Sequence, residues 1–545
     1  MKKWLGLVAL VLVLVTLASA CSTAASPTPV TTSAPASTAP ATTAAVTTAA
    51  PTTAASQPQY GGTFIWIRNT GIPVLGAPPD MPTQTSTYPL ASPVMENLVL
   101  TNDQEDIVPF LAQSVVTSPD GKTITFNLRH GIKFTDGTDF NAQAVKYNLQ
   151  ADVAAKCSGS AILSNVTSYD VVDDYTLRLN LSQYDARLLV GLAQSSIGSM
   201  VSPTALAKPT TPENAAKDHL VGTGPFIFDS WAKDQYIKFK KNPNYWQAGK
   251  PYLDAIEIRN NPTTATSVMS LQAKEVNMVE NIDPSTYNQM KSQGYAVAIP
   301  STLAFVFRLV PDSANADSPF AKLEVRQAVE YALDKAGMAQ GIGLGTQYPA
   351  TQLGIAKDAW YINNYPARNY DVAKAKALLA QAGYPNGFTY PIISDVRGRQ
   401  DQTVAIQTYL KDVGINTTLD VADVARMASL QSNGWKGLLV PGFPNWDSFS
   451  SWTNVFLNPT LTFPSAAVPA GWVDSWNKVL GTVDFNTRMT MMQAQLKQIY
   501  DQALMIPYIY DAPRYVTDGT VMDSQWDAHN INGYFDPAGT WLKKK

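Results

Sequence analysis

Residues 22–59 contain no charged side chain, and 34 of these 38 residues are alanine, threonine, serine or proline. Such a segment cannot bury enough apolar surface to offset the conformational entropy that folding removes. It therefore predicts a disordered tether, and a folded body that begins at about residue 60. The rest of the 545-residue chain is too long for one hydrophobic core, because cores stop growing near 250–300 residues. The sequence thus predicts a body of two or more domains.

The N-terminus carries the features of an export signal. Lys2 and Lys3 precede an almost unbroken apolar run over residues 5–17. A helix of that length would span about 20 Å, which is short of the ~30 Å hydrocarbon core of a bilayer. The run ends in Leu-Ala-Ser-Ala-Cys, and small residues before a cysteine are typical of a bacterial lipobox. We therefore expect residues 1–20 to be a lipoprotein signal peptide. Residues 21–59 would then be a lipidated Cys21 and its tether, which anchor the protein to the outer face of the cell membrane.

Charge and side-chain chemistry exclude several classes of protein. The chain has 40 basic and 43 acidic residues, whereas a nucleic-acid-binding protein needs a basic face to neutralise phosphates. We therefore expect no nucleic-acid partner. Three histidines and two cysteines leave little material for a transition-metal site, and no cofactor or metal is expected. Because Cys21 is used for lipidation, we expect Cys157 to be unpaired and buried.

Strand and helix patterns are mixed along the body. Period-2 alternation predicts strands at residues 64–67, 123–128, 176–181, 236–239 and 255–258. Helical spacing predicts helices at residues 322–335, 371–382, 401–413 and 486–502, the last opened by Asn486. The mixture predicts a multi-lobed protein of the mixed α/β class.

Four blocks of sequence carry a family resemblance. They are Val-Pro-Phe-Leu-Ala at 108–112 with Phe-Asn-Leu-Arg-His-Gly-Ile-Lys-Phe-Thr-Asp-Gly-Thr at 126–138; Gly-Thr-Gly-Pro-Phe at 222–226 with Asn-Pro-Asn-Tyr-Trp at 242–246; Val-Arg-Gln-Ala at 325–328 with Ala-Leu-Asp-Lys at 332–335; and Lys-Ala-Lys-Ala-Leu-Leu at 374–379 with Ala-Gly-Tyr-Pro-Asn-Gly-Phe at 382–388. In this order they resemble the family 5 extracytoplasmic solute-binding proteins, the oligopeptide-, dipeptide- and nickel-binding components of ABC importers. Turn glycines and core positions explain most of these residues, so we interpret the blocks as markers of the fold.

The resemblance implies a mixed α/β fold of two lobes joined by a hinge, with an extra subdomain in the first lobe. On this chain it implies a first lobe at residues 60–99, 218–300 and 501–545, a subdomain at 100–217, and a second lobe at 301–500. Crossings near residues 301–309 and 500–508 would form the hinge. A ligand that both lobes contact would favour the closed form. We expect a monomer.

The segment richest in aromatic residues is a candidate for ligand binding. Nine aromatic side chains lie within residues 435–476. Aromatic rings offer large apolar surfaces and cation–π or stacking contacts, although a packed core is the alternative explanation. In the resembling family, the segment that corresponds to residues 442–452 lines the cleft. The resemblance therefore implies ligand contacts from Trp446, Asp447, Phe449 and Trp452.

The same segment departs from the pattern of the peptide-binding members. Those members carry an aspartate seven positions before the phenylalanine, where it pairs with the α-amine of the peptide. Counting back from Phe449 reaches Gly442, and Asp447 lies in a different register. Because an unpaired ammonium in a dry cleft is costly, a solute without a free amine, such as an oligosaccharide, stays open beside a peptide.

Three further residues are candidates by resemblance. Arg397 and Arg399 precede the predicted helix at 401–413, in a loop where dipeptide-binding relatives place a carboxylate-binding arginine. Arginine suits the bidentate recognition of a carboxylate, although a solvated loop arginine is the alternative. Tyr88 follows a proline-rich loop after the first strand and is a candidate for the edge of the cleft.

The resemblance implies an extracytoplasmic substrate-binding lipoprotein that delivers a small organic solute to ABC permease subunits, with ATP hydrolysed by a separate ATPase. One alternative is a sensor that presents a ligand on the same fold. The other is a secreted hydrolase, but no Gly-x-Ser-x-Gly, Cys-x-x-Cys or His-Glu-x-x-His motif is present. We therefore expect a binding protein and not an enzyme.

Overall fold

The computed structural model describes residues 57–69, 71–72, 74–81, 88–102, 106–157, 159–299, 305–356, 358–396, 400–441, 463–524 and 536–544. Residues 57–545 cluster as a single unit. The signal peptide, Cys21 and most of the tether lie outside the described residues.

The strands, in chain order, are β1 (Thr63–Arg68), β2 (Glu96–Asn97), β3 (Val99–Thr101), β4 (Ile107–Pro109), β5 (Ala112–Thr117), β6 (Thr123–Leu128), β7 (Val166–Asp173), β8 (Thr176–Leu181), β9 (Ser199–Met200), β10 (Phe226–Ala232), β11 (Tyr236–Lys241), β12 (Ala255–Asn260), β13 (Met278–Val279), β14 (Ala296–Ala298), β15 (Phe305–Pro311), β16 (Tyr348–Pro349), β17 (Phe388–Asp395), β18 (Ile415–Ala422), β19 (Leu438–Val440), β20 (Ile506–Asp511), β21 (Tyr515–Thr517), β22 (Val521–Met522) and β23 (Trp541–Leu542).

The α-helices are α1 (Ala142–Ala154), α2 (Arg187–Gln194), α3 (Pro203–Leu206), α4 (Ala215–His219), α5 (Thr264–Gln272), α6 (Pro284–Ser292), α7 (Leu323–Ala332), α8 (Lys335–Gly341), α9 (Val372–Gln381), α10 (Gln400–Asp412), α11 (Val424–Asn433), α12 (Trp472–Gly481) and α13 (Phe485–Asp501). Each described helix is too short or too polar to cross a bilayer.

A seven-stranded mixed sheet, which we name the first sheet, has the order β10-β11-β12-β1-β13-β21-β14. Its strand β1 is parallel to both neighbours, β12 and β13. Alternation along β1 sends Phe64 and Trp66 to one face, where Leu75 and Val94 are among the residues that pack, and Ile67 to the other, where α5 and α6 pack. The period-2 pattern of β1 thus gives a sheet that is buried on both faces.

A six-stranded sheet, which we name the second sheet, has the order β16-β20-β15-β19-β17-β18. Strand β17 is parallel to both β18 and β19, and the other pairs are antiparallel. Helices α7, α9 and α10 cover one face, and α11, α12 and α13 cover the other. This three-layer arrangement is that of a mixed α/β lobe with its own core.

The inserted region between β2 and β10 builds a third, antiparallel sheet, ordered β5-β6-β8-β7. Helices α1 and α2 pack on it through buried residues such as Val145, Leu149, Leu188 and Leu192. The region also contacts the second lobe, because the backbone N–H of Ala186 donates to the carbonyl oxygen of Leu480 at 2.9 Å. The observed architecture therefore has two sheets, each with its own core, and an additional small sheet between strands of the first.

The chain crosses between the first and second sheets in two places. One crossing runs from the end of β14 at Ala298 to the start of β15 at Phe305, and the other from Asp511 to Tyr515. The second crossing lies after the expected segment at 500–508. The reason is that β20 pairs with β15 as far as Asp511, which keeps residues 506–511 in the second sheet.

Local predictions agree with the structure except at three helix boundaries. Helix α10, predicted to begin at Asp401, begins at Gln400 and has Asp401 in its first turn. The strands predicted at 123–128 and 176–181 are β6 and β8. The helix predicted at 322–335 ends early, at Ala332, because Asp334 caps a new helix by accepting from the N–H of Gly337. The prediction that Asn486 opens the last long helix was wrong, because α13 is capped by Asp484. Cys157 is buried and forms no disulfide with any described residue, as predicted.

The fold-marker interpretation of the Asn-Pro-Asn-Tyr-Trp block is supported by its contacts. Tyr245 and Trp246 of this block, together with Thr223, donate hydrogen bonds of 2.6–2.9 Å to the buried carboxylate of Glu96. Gly222 packs against the backbone just before β2, where an added Cβ would come 2.0 Å from the carbonyl oxygen of Val94. These residues join the inserted region to the first sheet.

Candidate functional site

In both large sheets, the crossings lie at the edge where parallel strands end. In the second sheet, β17, β18 and β19 are parallel and end together, and Phe305 pairs with Asp511 at this same edge. In the first sheet, β21 begins beside the end of β13, because Val516 pairs with Val279 and Tyr515 with Ala298. Both crossings therefore leave from the carboxyl edges of parallel strands. Ligands of open α/β sheets bind at such edges. We name the region between them the carboxyl-edge site.

A buried polar network joins the two edges. Arg514, in the second crossing, donates from Nε to the carbonyl oxygen of Ile282 at 2.9 Å, and Ile282 follows β13 in the first sheet. Its Nη1 donates to Oδ1 of Asp511 at 2.5 Å and to Oγ1 of Thr346 at 3.3 Å, both on the second-sheet side. Arg514 is 3 % exposed. This arginine therefore fixes the backbone of the first edge against the second.

The network continues into the second lobe through two glutamines. Gln347 donates from Nε2 to Oδ2 of Asp511 at 2.7 Å, and Gln402 of α10 donates from Nε2 to Oε1 of Gln347 at 3.3 Å. Close by on the same helix, Thr403 lies 3.2 Å, oxygen to oxygen, from Ser394 of β17. Buried polar side chains are costly unless they are hydrogen-bonded, and these four form two contacts, Gln402 with Gln347 and Thr403 with Ser394. They position the amino end of α10 at the carboxyl edge.

The carboxyl edge of the first sheet carries a buried ion pair. In the parallel register, Ile67 pairs with Val279, so the next residues along, Arg68 and Glu280, are neighbours across the strands. Nε of Arg68 lies 3.4 Å from Oε1 of Glu280, and both side chains are almost fully buried. Burial raises the pKa of Glu280 to about 7, although the guanidinium of Arg68 acts in the opposite direction.

A second buried cation lies on the central strand of the second sheet. Arg308 of β15 is buried, and its guanidinium carbon lies 5.8 Å from the ring centroid of Phe463. Burial lowers the pKa of Arg308 to about 9. Phe463 belongs to the aromatic-rich segment at 435–476, so one ring of that segment makes a cation–π contact with the second sheet.

The residues predicted to bind ligand lie outside the described residues. This holds for Trp446, Asp447, Phe449, Trp452, Arg397 and Arg399, and the side chain of Tyr88 is also outside them. The structure does describe β17, which precedes Arg397 and Arg399, and β19, which precedes the segment with Trp446 and Trp452. Ser394 of β17 pairs with Val440 of β19, so the chain leaves two adjacent parallel strands toward 397–399 and toward 442–452. The backbone at Tyr88 begins a short 3₁₀ helix, Tyr88–Ala91.

The sequence interpretation missed Arg68, Asp511 and Arg514. Arg68 and Asp511 each end a run of apolar strand residues, Phe-Ile-Trp-Ile-Arg at 64–68 and Ile-Pro-Tyr-Ile-Tyr-Asp at 506–511. A charged residue at the last position of a buried strand was the available signal for these two, whereas Arg514 lies between β20 and β21 and had no such signal. No group of three or more potential metal ligands occurs among the residues with described positions.

Known proteins with similar sequence and structure have the same architecture. Residues 106–462 match the family described as bacterial extracellular solute-binding proteins, family 5 Middle. The glutathione-binding protein GsiB of Shigella flexneri is 33% identical over 334 residues, which are 60% of this chain and 63% of GsiB. The chain thus matches less than two thirds of the length of that relative.

Solved structures extend the likeness over most of the chain. The binding protein AgaA from A.tumefacien R10, in complex with agropinic acid, is 27% identical, with a TM-score of 0.71 over 89% of this chain and 99% of AgaA. DppA from Helicobacter pylori, in complex with the peptide STSA, gives a TM-score of 0.72 over the same shares at 23% identity, which shows the fold alone. The family match and the two-sheet architecture together establish that this chain belongs to the family 5 bacterial extracellular solute-binding proteins.

Proposed function

We propose that the protein is the solute-binding component of an ABC importer. It captures a small organic solute, peptide-like or an oligosaccharide, between its two lobes and delivers the solute to a membrane permease. A separate ATPase subunit hydrolyses the ATP, and the binding protein itself carries out no catalytic turnover. A lipid on Cys21 holds it, as a monomer, at the outer face of the membrane.

The observation that carries this proposal is the placement of the two crossings. Both connect the lobes at the carboxyl edges, and each of the two large sheets has its own hydrophobic core. Two rigid bodies joined by two short segments can rotate about those segments and close on a ligand. Because ligands of such sheets bind at the carboxyl edges, closure would enclose the solute beside the joint.

The names of the relatives support the class of solute. GsiB is named for glutathione, and the AgaA and DppA structures contain agropinic acid and a tetrapeptide. All three are small, polar organic molecules. We infer a solute of the same size class for this protein.

The proposed ligand contacts are the residues inferred by resemblance. Trp446, Asp447, Phe449 and Trp452 follow β19, and Arg397 and Arg399 follow β17. The adjacency of those two strand ends supports their joint use. Tyr88 contributes from the first lobe, where the next residues, Leu90 and Ala91, pack in the same core as Trp66.

The test is to identify the solute. Protein purified under non-denaturing conditions is denatured, and the released small molecules are identified by mass spectrometry. Each candidate is then titrated calorimetrically into protein that has been unfolded, dialysed and refolded. We expect one solute class with an affinity near the micromolar range, about −8 kcal/mol. A protein that releases nothing, and whose melting temperature no compound in a broad solute library raises, contradicts the proposal.

A further inference from the structure

Arg68 occupies an unusual position for an arginine. It is the last residue of β1, the strand of the first sheet with parallel neighbours on both sides. Its predecessors on the same face, Phe64 and Trp66, are fully buried in the core. Arg68 itself is only 5 % exposed. The strand therefore places a guanidinium at the carboxyl edge, at the boundary between the core and the carboxyl-edge site.

Within the part of the chain that the structure describes, two buried nitrogens of this guanidinium make no hydrogen bond. A guanidinium has five N–H donors. Glu280 lies near Nε, at 3.4 Å, and neither Nε nor Nη1, both buried, has a hydrogen-bond partner among the described residues. A buried charged group without hydrogen bonds is costly, so its presence in a native protein needs an explanation, and a bound solute that accepts from it is one.

Neighbouring contacts show that the edge beside Arg68 is fixed. Asn69 donates to the carbonyl oxygen of Asn281 at 3.2 Å, and Arg514 binds the next carbonyl, that of Ile282. The residues that follow β1 and β13 are therefore joined to each other and to the second crossing. An arginine held on such a rigid edge loses little entropy when it binds a ligand.

Glu280 does not balance the guanidinium fully near neutral pH. Burial raises the pKa of Glu280 to about 7, so the folded protein contains both its charged and its neutral form at that pH. Of the other charged groups at this edge, Arg514 is paired with Asp511, and the carboxylate of Asp283 caps α6 by accepting hydrogen bonds from Thr286. When Glu280 is neutral, the buried guanidinium of Arg68 has no counter-charge from this carboxyl, which favours an anionic partner.

We propose that Arg68 binds a carboxylate of the solute from the first lobe, which makes carboxylate-bearing organic molecules the ligand class of this protein. This inference rests on the proposed solute-binding function. The planar guanidinium donates parallel N–H···O bonds to the two carboxylate oxygens, and Glu280 orients it from the Nε side. The second lobe completes the site when it closes, so the carboxylate contact from Arg68 contributes to selection before closure.

The experiment compares each acid with its neutral derivative. The probes are the peptide Ser-Thr-Ser-Ala and its C-terminal amide, glutathione and its diethyl ester, and the solute released from the purified protein with its methyl ester or amide. Binding is measured by calorimetry for the wild type, Arg68→Met and Arg68→Lys. The matched control is Arg259→Met, because Arg259 pairs with Ile67 in the neighbouring parallel strand but forms a surface ion pair with Glu257 at 2.7 Å.

We expect the wild type and Arg259→Met to bind an acid at least about tenfold more tightly than its neutral form. Arg68→Met should bind the two forms within about twofold, and Arg68→Lys should lie between. If Arg68→Met lowers the melting temperature but leaves the ratio of acid to neutral affinities at the wild-type value, the role of Arg68 is purely structural. That result overturns the inference. A wild type that prefers neutral solutes also overturns it, whereas the proposed function stands in both cases. Failure of the wild type to bind any compound overturns the proposed function itself.

Discussion

Two buried glutamates show how surroundings decide the role of a residue. Glu96 accepts hydrogen bonds from three donors and joins the inserted region to the first sheet. Glu280 faces one guanidinium at the carboxyl edge. Burial raises the pKa of both carboxyls to about 7. The three hydrogen bonds that it accepts indicate a structural role for Glu96, whereas the buried nitrogens of Arg68 that lack a partner among the described residues support the binding role that we propose for Arg68.

The raised pKa values predict a pH dependence of stability. Between the ordinary pKa of 4.5 and the folded value of about 7, the folded state binds more protons than the unfolded state, so the free energy of unfolding falls as pH rises. This contribution is complete below about pH 4.5 and lost above about pH 7. It is on the order of 3 kcal/mol per group.

Urea unfolding at pH 5 and pH 7.5 tests this prediction. Glu96→Gln should reduce the difference in stability between the two pH values, because the amide does not titrate. The control is Glu213→Gln, since Glu213 is exposed. An unchanged pH difference in Glu96→Gln would show that Glu96 does not titrate as described.

Replacement by alanine should have opposite effects on stability at two glycines. A Cβ on Gly222 would lie 2.0 Å from the carbonyl oxygen of Val94, whereas a Cβ on Gly341, the last residue of α8, would meet nothing within 4 Å. We expect Gly222→Ala to destabilise by several kcal/mol or to prevent folding. Gly341→Ala should stabilise by about 0.5–1 kcal/mol. Chemical denaturation of both variants measures the contrast, and equal effects would contradict the described packing.

At the scale of elements, the sequence predicts strands and capped helices well because their signals are local. Alternation over six residues suffices to predict β6 and β8, and the helix predicted at 371–382 is α9, which Asp371 caps. The errors arise where two caps compete within a few residues, as at Asp484 and Asn486. The order of strands in the sheets is not local information. The adjacency of β17 and β19, and with it the meeting of the two candidate loops, could come only from the structure or from the resemblance.

The segment after β19 carries the next prediction. Trp446→Ala and Trp452→Ala should each weaken solute binding by about 1–3 kcal/mol without unfolding the protein, because each removes a large aromatic contact surface. Calorimetry with the identified solute measures the loss. Tyr147→Ala is the control, since Tyr147 is an exposed aromatic residue of α1. Wild-type affinity in both tryptophan variants would remove this segment from the site.

At the scale of the whole molecule, two separately packed lobes are joined by crossings that share one edge. The resemblance predicted this architecture, but the position of the second crossing depends on how far β20 pairs with β15, which composition cannot reveal. The polar network through Arg514 was equally hidden, because its members are distant in sequence. Gln347 and Gln402 meet only after the lobe has folded.

The anchor adds a prediction about the location of the protein. Cys21→Ser should remove the lipid attachment site, so the protein should move from the membrane fraction to the soluble extracytoplasmic fraction. Cell fractionation with immunoblotting and mass spectrometry of the N-terminal peptide measure the change. Cys157→Ser is the control, because Cys157 is buried in the folded body. A Cys21→Ser protein that stays in the membrane fraction contradicts lipid anchoring.

Closure of the two lobes on a solute is the central claim, and small-angle X-ray scattering measures it most directly. The radius of gyration of the refolded, solute-free protein is compared with that of the same protein saturated with the solute identified by mass spectrometry. We predict a smaller radius of gyration and a more compact distance distribution when the solute is bound. Identical scattering profiles at concentrations where calorimetry proves saturation would contradict the account.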